Sequence, residues 1–183
     1  MPTDEGHALI SELDADSGDQ HREVYARFGV AVYYAQVFEA GIANLILISE
    51  RMQGRHLSDS DVDSRFEALW RKTLGTLLAL VRDGQLLGTD ELDLCQDALA
   101  TRNRLIHRFW RDEIEHTITP DGRQYLCDEV DAMRRLFIRA DKAATEVMLR
   151  IGAPGGLTAE MIQEAMEKMK ADVERRARAF GQV

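Results

Sequence analysis

The chain has 183 residues, of which 45% are hydrophobic and 30% charged, and its formal net charge is −9. That balance excludes an intrinsically disordered chain and a surface that is basic all over, and the length suits one domain with a real core. It does not exclude nucleic acid, because binding depends on a local patch rather than on the total. Cys95 and Cys127 belong to no CxxC or Cys/His spacing, so they read as buried, reduced thiols. No uninterrupted apolar run approaches the roughly 18 residues of a membrane span. The acidic, polar start has no basic segment followed by an apolar one. The expected location is cytoplasmic, with no membrane contact.

Only 3 prolines and long stretches without turn signals predict a mostly helical chain. Residues 1–19 are rich in Asp, Glu, Gly and Ser and read as a flexible acidic tail. From Gln20 the apolar positions Val24, Phe28, Ala31, Ala35, Phe38, Ile42, Leu45 and Ile46 recur at three and four, predicting a long helix to about Met52. Glu39 lies in its apolar half and needs a partner there. After a polar break, a second helix carries Phe66, Leu69, Trp70, Thr73, Leu74, Leu77, Leu80 and Val81 to a stop at Asp83-Gly84.

Thr89 is the expected N-cap of a third helix, with Asp90, Glu91 and Asp93 suiting its positive end, and its core face continues to about Ile114. Thr119-Pro120-Asp121-Gly122 reads as a turn. A fourth helix then runs from about Tyr125 to Ile151 on Leu126, Val130, Met133, Phe137, Ala140, Ala144, Val147, Met148 and Ile151. Gly152, Pro154, Gly155 and Gly156 end it. Thr158 caps a fifth, heavily charged helix with a narrow stripe of Ile162, Met166, Met169, Val173, Ala177 and Phe180. That stripe lies either on the body or on a partner chain. The expected architecture is all-α: residues 20–152 as an up-and-down bundle of four main helices, and 153–183 as a linker with an appended amphipathic helix.

The stretch from Thr101 to Arg111 holds four arginines and a histidine without one acid. Advancing about 100° per residue separates two sets. Arg104, Arg108 and Arg111 fall on the wet side, where a helix C-terminus favours cations and where RNA phosphates are accessible. Arg102 projects from the apolar arc, so it must meet a carboxylate, a phosphate or a second subunit. Asn103 and His107, four apart, line one border of that arc. Glu39 is the expected partner holding Arg102.

Arg102, Asn103 and His107, late in a long helix of an all-helical bundle, resemble the Arg-x4-6-His motif of the HEPN superfamily (higher eukaryotes and prokaryotes nucleotide-binding domains). The motif covers six residues, and helix number and order extend the resemblance over about Gln20 to Ile151. The resemblance implies a homodimer with the two motifs facing one another, and a metal-independent endoribonuclease of the toxin or phage-defence kind. His107 would move protons as a ribose 2′-OH attacks the adjacent phosphate, Arg102 would bind that phosphate, and Asn103 would orient His107 or the backbone. It implies no cofactor and no metal. Several HEPN toxins carry a tyrosine where this chain has Phe109, which reads instead as core.

Two other classes remain open. One is a non-catalytic helical module, such as an antitoxin or adaptor, that uses the same dimer interface or binds a protein through the C-terminal helix. The other is a bundle binding a small molecule or nucleotide. No Walker lysine, HExxH or GxSxG occurs. Glu113 and His116 form a single Glu-x-x-His, too few ligands for a metal centre.

Overall fold

The computed structural model describes residues 4–54 and 59–180, with side-chain environments for 18–54, 61–176 and 178. All regular structure among them is helical: α1 (Asp4–Met52), α2 (Asp59–Trp70), α3 (Leu74–Asp83), α4 (Thr89–His107), α5 (Phe109–Glu113), α6 (Pro120–Gly152) and α7 (Ala159–Phe180). Short 3-10 turns occupy Ile114–Thr117 and Ala153–Gly155. The chain is therefore all-α, as its periodicity predicts.

α1 and α6 form the backbone of the fold and run parallel. Gln20 meets Arg123, Arg27 meets Asp131 at 2.6 Å, and Ile48 lies beside Gly152. α4 and the following α5 run antiparallel to α1, with Arg102 of α4 beside Glu39 and Trp110 of α5 against Tyr25 and Phe28. The expected stripes make the core. Val24, Ala31, Ala35, Phe38, Ile42 and Leu45 of α1 are buried with Leu126, Val130, Phe137, Ala140, Ala144 and Val147 of α6. Cys95, Leu105 and Phe109 close the layer, so Phe109 is core and both cysteines are buried and free. Burial pushes the Cys95 thiol up to about 12, helped by Glu91.

Five boundaries differ from the periodicity reading. Helix α1 starts at Asp4, not Gln20, so the acidic stretch read as a tail joins it from residue 4 onward. No proline interrupts it, and acids suit a helix N-terminus even without an apolar stripe. The single expected second helix is two. The chain leaves helix after Trp70, and Thr73 (φ −72°, ψ 152°) caps α3 by accepting from the Thr76 N–H at 3.3 Å. Trp70 and Thr73 are consequently exposed rather than core.

At α4, Gly88 rather than Thr89 occupies the N-cap. Arg108 (φ −133°, ψ −24°) ends the helix at His107, well short of Ile114. α6 starts at Pro120, because Thr119 caps it by accepting from the Gly122 N–H at 3.1 Å and proline suits the first helical position. Gly122 has no room for a side chain: a Cβ there would lie 2.2 Å from the His116 carbonyl oxygen.

Glu50 and Arg65 join α2 to α1, and Gly75 of α3 lies against Leu99 of α4. The body is built from five main helices among the described residues, α1, α2, α3, α4 and α6, where the periodicity predicts four. Thr158 does cap the last helix, accepting from the Met161 N–H at 3.2 Å. Met166, Met169 and Val173 of α7 are exposed and Ile162 is partly so, so this part of the stripe is not laid on the body, while Ala177 and Phe180 lie outside the residues whose side chains are described.

By length and average composition, α1 between Gly18 and Met52 is apolar enough to cross a membrane, although no uninterrupted run in it is. Most of its apolar positions from Val24 to Leu47 pack in the core, while Tyr25, Val30 and Tyr33 are exposed.

Candidate functional site

The last turns of α4 deliver the basic stretch. Arg102 leans from α4 toward the middle of α1, where its Nη2 donates to Glu39 Oε2 at 3.4 Å. Its Nη1 donates to Asn103 Oδ1, also at 3.4 Å. The guanidinium is 26% exposed and the carboxylate 18%, so the pair sits at the edge of the core. Asn103, expected to orient His107 or the backbone, accepts from Arg102 through its side-chain carbonyl.

Arg102 and Glu39 line an open cleft of about 370 Å³ together with Val32, Ala35, Gln36, Trp70 and Ile106. His107 does not line it. As the final residue of α4 it is exposed, one helical turn beyond Asn103. A single protomer thus separates Arg102, which faces α1, from His107, which faces solvent.

The three other arginines are not alike. Arg104, expected on the wet face, is clamped between Glu113 of α5 and Glu129 of α6. Hydrogen bonding to Glu129, and then to Glu113, holds its pKa above the ordinary value despite partial burial. The kink at Arg108 is what swings Glu113 back toward α4, so Arg104 is a strut and not a free phosphate contact. Arg108 and Arg111 do stay exposed, and both face Asp112 at 3.2 Å. His116 lies 3.6 Å from Glu113, a local pair, and no cluster of three metal-binding side chains occurs among the described residues.

The periodicity places Trp70 on the core face of the second helix and gives Arg71 and Lys72 no role. The signal was present: an aromatic followed by two cations, just before a threonine able to cap a new helix. Trp70 is 50% exposed, and its ring is braced from behind by Phe66, with centroids 5.8 Å apart and planes 21° from parallel. Arg71 and Lys72 are exposed, with no ion pair among the described residues.

No family model matches the chain, and no curated protein or solved structure matches it either.

Proposed function

We propose that the chain is a HEPN-like domain that cleaves RNA without a metal, as a homodimer in which the Arg102, Asn103 and His107 sets of two copies share one cleft. The observation that supports this most is the placement of Arg102, fixed by Glu39 and Asn103 at the edge of a cleft, with an exposed His107 on the same helix end. Arginine has five donors, so the two contacts leave others for a phosphate.

In the reaction, His107 accepts the proton of a ribose 2′-OH. The 2′ oxygen attacks the adjacent phosphorus, and the bond to the 5′ oxygen of the next nucleotide breaks. That leaving oxygen takes up a proton, giving a 2′,3′-cyclic phosphate and a 5′-OH. Arg102 steadies the charge gathering on the phosphate oxygens. A toxin or phage-defence role in the cytoplasm follows from the resemblance to HEPN domains.

The test is His107→Ala. It should abolish cleavage of single-stranded RNA while helix content and dimer mass, by circular dichroism and light scattering, stay as in the wild type. Persisting cleavage removes the reading, and a stable monomer removes the composite site.

A second reading, a non-catalytic module of the antitoxin or adaptor kind, is favoured by the neutralised basic stretch and by the uncovered Met166, Met169 and Val173 of α7. It predicts a wild-type protein that dimerises but leaves RNA intact.

A further inference from the structure

We propose that the cleft beside Arg102 seats one nucleotide of single-stranded RNA, its base stacked on Trp70 and its backbone drawn to Arg71 and Lys72. This rests on the RNA reading above but concerns binding rather than cleavage.

The chemistry of the lining matches a base. Trp70 ends α2 and remains half exposed, although a large aromatic ring normally gains by burial. Phe66 stacks behind it, so the indole is held in place and offers a preorganised surface to the cleft. Stacking on such a ring is sequence-tolerant because every base has a π face. Val32, Ala35 and Ile106 supply apolar walls.

The polar groups suit a base edge. Arg102 and Glu39 present a donor and an acceptor side by side, and the Gln36 amide carries both. The cleft volume, about 370 Å³, falls within the range of small-ligand sites.

The backbone needs cations, and they stand next in the chain. Arg102, Arg104, Arg108 and Arg111 each face a carboxylate. Arg71 and Lys72 face none among the described residues and are exposed at the turn that follows Trp70. Their field is left for a solvent-side anion. An aromatic platform bordered by unpaired cations is the arrangement that single-stranded nucleic acid binds.

The experiment measures binding by the full-length protein of a fluorescent, 2′-O-methylated single-stranded oligonucleotide, which cannot be cleaved through its 2′ oxygen. Trp70→Ala should weaken affinity about tenfold or more, while Trp70→Phe retains most of it. An abasic strand of equal length should bind weakly to the unaltered protein. The Arg71→Gln/Lys72→Gln pair should reduce the salt dependence of log affinity by about 1.4. Equal binding by Trp70→Ala, equal binding of the abasic strand, or no binding by the wild type overturns the proposal. So does a Trp70→Ala protein that is monomeric where the wild type is dimeric, since Trp70 would then be covered by a second copy. The Trp70→Phe and abasic comparisons still decide the matter if Trp70→Ala fails to fold. Cleavage of unmodified RNA is read separately. Absent cleavage with Trp70-dependent binding removes the ribonuclease and keeps the base site, and cleavage indifferent to Trp70 does the reverse.

Discussion

Arg102 Nη2 stands 3.4 Å from Glu39 Oε2, tying the end of α4 to the middle of α1 across 63 residues of sequence. Neither group is fully buried, and the contact is long for an ion pair. Its worth is therefore nearer that of a surface pair than of a sealed one, about 1 kcal/mol. Glu39→Ala should lower the melting temperature by about 2–4 °C, measured by thermal unfolding. If the pair also holds Arg102 for catalysis, RNA cleavage by Glu39→Ala should fall further than its stability does. An unchanged melting temperature would show that the pair contributes nothing.

Arg104 should matter more to stability than Arg102. Its guanidinium meets Glu113, which is buried, and Glu129, which is half-buried. Arg104→Ala leaves two neighbouring carboxylates without their cation, at a cost of about 2–3 kcal/mol. This is less than for a sealed pair because Arg104 keeps some contact with water. Urea unfolding measures the loss, and adding Glu113→Gln should restore part of it by removing one stranded charge. A single mutant as stable as the wild type would show that the clamp is ornamental.

Asp141 gives the fold a pH dependence of its own. Half-buried on α6 beside Gly41, it has its pKa raised above 3.8 by desolvation. The folded state then binds the proton more tightly than the unfolded one. Its favourable contribution is complete below about pH 3.8 and is lost as pH rises through the raised folded value. Asp141→Asn should therefore stabilise the protein at pH 7 and have little effect near pH 3, by urea midpoints at the two values. Equal effects at both would assign the change to packing.

Much of the bundle was legible because burial imposes a period. Most stripe positions of α1 and α6 are buried, with Phe28, Met148 and Ile151 only partly so, and Thr158 announces its helix by side-chain chemistry alone. The break before Thr73 was hidden because Leu74, Leu77 and Val81 continue the phase of Phe66 and Leu69, so a helical stripe survives a reversal of the chain. The start of α1 was hidden for the opposite reason: a polar segment without a stripe can still be helical when nothing breaks it. At the site, the need of Arg102 for a carboxylate could be read from its angular position. The fate of Arg104 could not, since Glu113 and Glu129 arrive on elements whose approach depends on the kink at Arg108. The stripe misassigns Trp70 to the core, because an aromatic in a helical stripe ordinarily lies there.

The parallel pairing of α1 with α6 sets an order of events during synthesis. The apolar face of α1 emerges first, yet its principal cover is made only after α2 through α5 have been translated. Until then Phe38, Ile42 and Leu45 have only part of their final surroundings, and contacts between distant segments must close last. A nascent chain halted before Pro120 would carry an open greasy seam, making it a natural client for chaperones and a poor candidate for independent expression.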